Sequence, residues 1–298
     1  MAVFLKHGRT LFAISIIALG VEHLICAQCK TAVIPVIPWV PATPFFAYLT
    51  GIGLLLAGVN IALNWKAHMS AVWSGIFFLI SVVLLRLPRL LAAPLDLGIR
   101  TETFETLALC GASFMLAGTL TAEKHYLLPW ENAEDAAIRA GQFLFAGSCL
   151  VFGIDHLVML DFIASLIPSW IPAPMFWASF TGFAFIGAGV CIATKRLADV
   201  AGTLLGIMFM LWFLVLHMPR ILSSSAHVHD PNEWSSAFIA LAMCGSAWIC
   251  AWAASENQFS DLQVHRSLMY VDRYRSRVEI LNVNPDIDSY RASGGDPT

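Results

Sequence analysis

Residues 39–63 read WVPATPFFAYLTGIGLLLAGVNIAL, and residues 170–194 read WIPAPMFWASFTGFAFIGAGVCIAT. The two segments align at a shift of 131 positions, and twelve of the 25 aligned residues are identical. Each segment is an apolar run of about 20 residues, the length that a helix needs to cross a bilayer. The pair therefore predicts two related membrane units within one chain.

The similarity continues outside these segments, in the same order along the chain. Residues 86–89 (RLPR) align with 217–220 (HMPR), 20–23 (GVEH) with 153–156 (GIDH), and 107–111 (LALCG) with 241–245 (LAMCG), at shifts of 131, 133 and 134. Apolar composition alone does not place such motifs in one order. We therefore predict a tandem duplication with a first repeat at 1–127, a second at 128–254, and a polar tail at 255–298.

The composition excludes a soluble protein. Of 298 residues, 58% are apolar and 12% are charged, and the mean hydropathy is +0.73, whereas soluble chains carry about 25% charged residues. The net charge of −3 without a basic stripe excludes nucleic acid as a partner. Apolar runs predict eight transmembrane helices, near residues 10–27, 44–63, 70–87, 103–121, 140–159, 175–194, 198–218 and 235–254.

The predicted fold is an all-α polytopic membrane protein, built from two four-helix bundles. The first apolar run lacks a small-residue cleavage site, so we expect a retained span rather than a signal peptide. Because each unit has an even number of spans, both units enter the membrane in the same direction, as a parallel repeat.

Lysine and arginine counts predict the orientation. Twelve of these residues lie on the side of both termini and five on the opposite side; without the tail the counts are seven and five. The positive-inside rule then places both termini in the cytoplasm. We expect a bacterial inner-membrane protein whose direct surroundings are the lipid bilayer.

Several of these motifs together resemble the DoxX-like family of membrane proteins. They are an acidic-histidine pair late in the first run, the loop IPVIPWVP at 34–41, a phenylalanine-containing helix with Thr50-Gly51, and a proline-ended third run. The loop LIPSWIPAP at 166–174 matches the pattern more closely. The resemblance covers about residues 10–254, here as a tandem duplication of a unit that members typically carry once. It implies the fold and, because the superfamily includes subunits linked to thiosulfate:quinone oxidoreduction, a quinone-linked role.

Ionisable residues within spans are costly and are candidates for function. Six of them are expected at one depth, in the outer third of the bilayer, and are our candidate catalytic residues: Glu22, His23, Arg86, Asp155, His156 and His217. They predict a polar chamber that opens to the outside.

Three interpretations of this group stay open. The group can be structural: the carboxylates form ion pairs, Glu22 with Arg86 or Arg89 and Asp155 with Arg220, and His23 and His156 each bond a neighbouring helix in a fixed tautomer. The histidines can instead pass protons to a buried quinone or thiol substrate. A metal or b-type haem held by one histidine from each half is the third, which the repeat permits although nothing in the spacing requires it. The cofactor is thus unknown from sequence, with quinone as the candidate.

Two further pairs are candidate substrate-binding residues. Arg89 and Arg220 each follow a proline and can either reach lipid headgroups or hold an anionic substrate. Trp39 and Trp170 lie in the proline-rich loops and fit an interfacial belt or an entrance for an isoprenoid tail. Because Arg86 is opposed by His217 at the aligned position, one half can be active while the other is scaffold.

Cys26 and Cys29 form the only closely spaced cysteine pair. At the outer end of the first span such a pair can cycle between dithiol and disulfide. The aligned positions in the second half hold Met159 and Phe162, which favours static cysteines instead.

Three functions compete. The first is an oxidoreductase subunit that binds a quinone or small redox-active molecule and works with a membrane or extracytoplasmic redox partner. The second is a non-catalytic scaffold or assembly protein. The third, a small-solute permease, is disfavoured because the inner halves of the spans carry almost no charge.

Overall fold

The computed structural model describes residues 2–25, 43–124, 133–223 and 233–255, and within these residues the chain is helical without a strand. Among the described residues, eight helices are long and apolar enough to cross a membrane. We number them as spans 1 to 8: Ala2–Ile25, Thr43–Ala62, Ala67–Ala92, Leu97–Lys124, Ala133–Val158, Pro174–Ala193, Ala198–Leu222 and Glu233–Ser255. The all-α prediction with eight spans is confirmed, and the chain is an integral membrane protein. The helical form follows from the bilayer, where every backbone N–H and C=O must find a partner within the protein.

Spans 3 and 7 each contain a π-helical turn near one end. In span 3 the helix Ala67–Ser81 passes through Val82–Arg86 into Leu87–Ala92. In span 7 the helix Ala198–Trp212 passes through Phe213–His217 into Met218–Ser223. The extra residue in each turn rotates the residues that follow, and such turns are frequent at functional sites. A short helix, Leu160–Ser165, follows span 5.

The tight turns before these two spans also agree. Asn64 and Lys66 have positive φ angles of 55° and 49°, and Lys195 and Leu197 have 58° and 55°. Left-handed backbone is uncommon for residues other than glycine. Its recurrence at positions 131 residues apart supports the predicted duplication.

Neighbouring spans pack against each other in chain order, and span 8 closes the ring against span 1. Residues Met1–Ala254 form one compact unit. Large apolar side chains fill its interior, including Phe12, Phe78, Phe145 and Phe185. The two predicted repeats therefore share one core and contact each other at two interfaces, between spans 4 and 5 and between spans 8 and 1.

Facing glycines bring the helices together at both interfaces. A Cβ atom on Gly141 of span 5 would lie 2.4 Å from the carbonyl oxygen of Gly111 in span 4. A Cβ atom on Gly245 of span 8 would lie 2.8 Å from the carbonyl oxygen of Gly8 in span 1. Small residues allow such close backbone approach in membranes. These glycines occupy aligned positions, so both interfaces use the same glycine–glycine contact. The shared contact supports the parallel relation of the two halves, which stays a prediction.

Candidate functional site

The candidate residues lie at one face of the bundle because the spans alternate in direction. Spans 1, 3, 5 and 7 end at this face and spans 2, 4, 6 and 8 begin there. Glu22, His23, Asp155 and His156 are within four residues of a span's end. We call this the loop face; it is opposite to the ends from which spans 1 and 5 start.

Asp155 joins the two halves through an ion pair. Its Oδ1 atom is 2.6 Å from Nη2 of Arg100, at the start of span 4. Only 3% of Asp155 is exposed. The predicted partner was Arg220, and this prediction was wrong: span 5 packs against span 4, so the arginine that reaches Asp155 comes from that helix.

Glu22 has a different partner. The Ser235 hydroxyl at the start of span 8 donates a hydrogen bond to Oε1 of Glu22. The other carboxyl oxygen, Oε2, is buried and has no hydrogen-bond partner among the described residues. The predicted ion pair with Arg86 or Arg89 was wrong, because those side chains bind a carboxylate on span 4.

That carboxylate is Glu102. Its Oε2 atom is 3.2 Å from Nη1 of Arg86 and 3.5 Å from Nη1 of Arg89. Arg86 closes the π-helical turn of span 3 and is 1% exposed. A second carboxylate, Glu105, lies one helical turn further along span 4 and also interacts electrostatically with Arg86. A buried guanidinium needs such partners, since an uncompensated charge inside a membrane protein is costly.

The aligned region of the second half is simpler. Nη2 of Arg220 is 2.7 Å from Oε1 of Glu233, at the start of span 8. His217 closes the π-helical turn of span 7 at the position aligned with Arg86. Its Nδ1 atom is buried and has no hydrogen-bond partner in the part of the chain described here. One arginine–glutamate pair is thus common to both halves, whereas the buried arginine belongs to the first half alone.

The two histidines next to the carboxylates make the same backbone contact. Nδ1–H of His23 donates to the Leu19 carbonyl oxygen at 2.8 Å, and Nδ1–H of His156 donates to the Phe152 carbonyl oxygen at 2.8 Å. This bond fixes the tautomer and leaves Nε2 as the nitrogen that can accept a proton or a hydrogen bond. His23 is fully buried, and His156 is half-buried.

Aromatic rings surround His156. Its ring stacks on Trp212 of span 7, with centroids 5.8 Å apart and planes 11° apart. Phe185 of span 6 meets the His156 ring edge-on at 5.3 Å. Phe152 and Phe209 complete this group of five rings, which we call the His156 cluster. Alignment places Leu19, Leu54, Phe78 and Ser81 at the corresponding positions around His23.

Sequence reasoning missed five residues that the structure brings to the loop face. They are Arg100, Glu102 and Glu105 on span 4 and Glu233 and Ser235 on span 8. One signal was available: Arg89 and Glu102 are 13 residues apart, as are Arg220 and Glu233, and the shift of 131 relates the two pairs.

The remaining candidates are not brought into this group by any described contact. Trp170 is 66% exposed in the segment before span 6. Trp39, Cys26 and Cys29 lie outside the described residues, as does the tail from 256 onward. Five cysteines within the spans are free thiols: Cys110, Cys149, Cys191, Cys244 and Cys250. In the ranges that the structure covers, no three His, Cys, Asp or Glu side chains converge on a metal site.

The chain was compared with known protein families, with curated proteins and with solved structures, and none of them matches it. The site must therefore be interpreted from its own geometry.

Proposed function

We propose that this membrane protein binds a quinone or another small, planar, redox-active molecule at the loop face, as its resemblance to the DoxX-like family implies. The observation that carries the proposal is the His156 cluster. In it the His156 ring, whose tautomer is fixed, stacks on Trp212. The imidazole is half-buried near the C-terminal end of span 5, at the loop face. Flat conjugated rings pack favourably against such aromatic faces.

His156 supplies the polar contact that a quinone oxygen requires. Because its Nδ1–H is bound to the Phe152 carbonyl, Nε2 is the atom that exchanges a proton with the ligand. The ion pair between Asp155 and Arg100 holds the preceding residue of the same helix against span 4. His23 has the same tautomer in the first half and serves as the second proton-handling residue, without the aromatic stack.

Arg86 takes a smaller role than the sequence indicated. Its guanidinium is engaged by Glu102 and influenced by Glu105, so it positions span 4 rather than attracting an anionic ligand. Arg89 and Arg220 also have carboxylate partners. These pairs therefore disfavour an anionic substrate such as a sulfur oxyanion and favour a ligand with a neutral ring.

A scaffold without catalytic activity is the second candidate. The ion pairs Arg86–Glu102, Arg220–Glu233 and Arg100–Asp155 each tie two neighbouring spans together. Such pairs are what a helix-locking network requires, and they need no ligand.

The test is quinone extraction from detergent-purified protein, together with its absorbance spectrum. Trp212→Leu and His156→Ala should each lower quinone occupancy at least about tenfold, since each removes a contact of roughly 1.4 kcal/mol or more. Ser81→Ala, at the position aligned with Trp212, is the matched control and should retain occupancy. Wild-type protein without quinone, or full occupancy in both variants, would support the scaffold.

The orientation belongs to the same proposal. Both termini are cytoplasmic, which places the loop face on the outer side, where an extracytoplasmic partner can deliver electrons or take them up. The excess of lysine and arginine on the terminal side supports this direction. Reporter fusions in the turns at 64–66 and 195–197 should both report the cytoplasm, and an outside signal from either would reverse the assignment.

A further inference from the structure

Glu22 and Asp155 occupy aligned positions, three residues from the end of spans 1 and 5, but their partners differ in charge. Asp155 faces the guanidinium of Arg100 at 2.6 Å. Glu22 faces the neutral hydroxyl of Ser235. The same carboxyl position thus has a counter-charge in one half and none from the described residues in the other.

The elements packed against Glu22 offer no cation in the described residues. Span 2 carries no charged side chain between Thr43 and Ala62. On span 8 the nearby charge is Glu233, and Arg220 is paired with it at 2.7 Å. On span 1 itself, His23 follows Glu22, and its Nδ1–H is committed to the Leu19 carbonyl.

A carboxylate in this environment is costly in its ionised form. Burial of an ionised group without a partner is strongly unfavourable, and the group takes up a proton instead. A neutral carboxylic acid both donates and accepts hydrogen bonds, as does a serine hydroxyl. Ser235 is compatible with the neutral form and brings no charge, so burial decides the protonation of Glu22, whereas the positive charge of the Arg100 guanidinium favours the ionised form of Asp155.

We propose that Glu22 is a proton-binding site within the membrane, which holds its carboxyl group in the neutral, protonated form while Asp155 is ionised. The ligand is the proton itself, and the acid is also a site for covalent modification by lipid-soluble carbodiimides. This inference goes beyond quinone binding and does not rest on it, since it depends only on the partners of the two carboxyl groups.

Carbodiimide labelling distinguishes the two protonation states. The protonated carboxyl group adds across one C=N bond of dicyclohexylcarbodiimide: its oxygen bonds to the central carbon, and its proton moves to nitrogen. The O-acylisourea then rearranges to an N-acylurea of the same mass. No group leaves, so the labelled peptide gains the mass of one reagent molecule and is located by mass spectrometry.

Full-length protein in lipid vesicles should be labelled at Glu22 at least about tenfold faster than at Asp155, because a close opposite charge favours the ionised form by that factor or more. Glu22→Gln should abolish the faster labelling. Arg100→Gln should make Asp155 reactive, and Ser235→Arg should protect Glu22 by supplying the counter-charge that Asp155 has. The wild-type ratio carries the test even if either charge variant fails to fold.

Three results would overturn the proposal. Equal labelling of Glu22 and Asp155 would show that their partners do not set protonation. Labelling of Asp155 alone would reverse the assignment. Absence of labelling at Glu22 in wild-type protein would show that its carboxyl group is not held in the protonated form.

Discussion

The first and second halves of this protein share their backbone contacts and differ in the side chains at the loop face. In both, a histidine near a span's end donates to the carbonyl four residues earlier, and a π-helical turn precedes a Pro-Arg pair. Around His156 the neighbours in the cluster are all aromatic, whereas the aligned positions around His23 hold two leucines, a phenylalanine and a serine. The comparison indicates that helix packing keeps the backbone contacts the same in both halves. The side chains at the ends of the spans can differ between the halves.

The two halves also differ in where their charged side chains are paired. The first half holds the buried Arg86, which is paired with Glu102 and interacts electrostatically with Glu105, and the second half has His217 in its place. Conversely, the carboxylate with an arginine partner is Asp155 of the second half, and Glu22 has a serine. Asp155 of the second half takes its arginine from the first half, and Glu22 of the first half takes its serine from the second. Neither half therefore supplies all the partners of its own carboxyl group.

The glycine interfaces should give the largest difference. Gly141→Ala drives a methyl group to 2.4 Å from a backbone oxygen and should lower stability by about 3 kcal/mol or more, while Gly8→Ala, whose nearest atom is at 3.0 Å, should cost about 1 kcal/mol. Thermal unfolding in detergent measures both. Gly147→Ala is the control, because its Cβ meets nothing within 4 Å, and it should be neutral or stabilising by up to about 1 kcal/mol. Equal losses of stability in the Gly141 and Gly8 variants would contradict the tighter helix contact at Gly141.

The partners of the aligned carboxyl groups should differ next. Arg100→Ala leaves Asp155 buried without a counter-charge and should cost about 3 kcal/mol. Ser235→Ala removes one neutral hydrogen bond and should cost about 1 kcal/mol. Unfolding in denaturing detergent compares them. Adding Asp155→Asn to Arg100→Ala should restore part of the loss, and failure to do so would argue that Arg100 acts through packing alone.

Replacement of the residue that closes each π-helical turn should show a smaller contrast. Arg86→Leu leaves Glu102 and Glu105 without their buried arginine and should cost about 2 kcal/mol. His217→Leu removes a ring whose Nδ1 is buried without a hydrogen bond among the described residues and should cost less than about 1 kcal/mol. The melting temperatures of the two variants make the comparison. A larger loss at His217 would show that its ring makes a stabilising contact in the second half.

The left-handed turns should show the smallest effect, and the same effect in both halves. Lys66→Gly and Leu197→Gly place glycine where φ is 49° and 55°. Relief of the left-handed backbone offsets the added flexibility of the unfolded chain, so each should change stability by less than about 1 kcal/mol. Thermal unfolding of the pair checks this. A difference between them greater than that would contradict a common turn geometry.

How much could be predicted depends on the range of the interactions involved. The bilayer requires long apolar runs with all backbone groups bonded internally, so eight helices follow from the sequence alone. Alternating span direction then places Glu22, His23, Asp155 and His156 at one face. Contacts between residues four apart are also set by helix geometry, because such residues lie on the same face. Each histidine therefore lies within hydrogen-bond reach of the carbonyl four residues earlier.

Side-chain pairing could not be predicted in the same way. Arg86, Arg89 and Arg220 were expected to bind the carboxylates of spans 1 and 5, but they bind Glu102 and Glu233 on the helix that follows each of them. Only the packing order decides this, because it sets which helices lie within reach of a side chain. The sequence determined the number of spans, the repeated motifs and the shared depth of the polar residues. The tertiary structure alone decided that Asp155 has an arginine and Glu22 a serine, because ion pairs and hydrogen bonds act over about 3 Å, a scale at which helix packing rather than sequence position determines the neighbours.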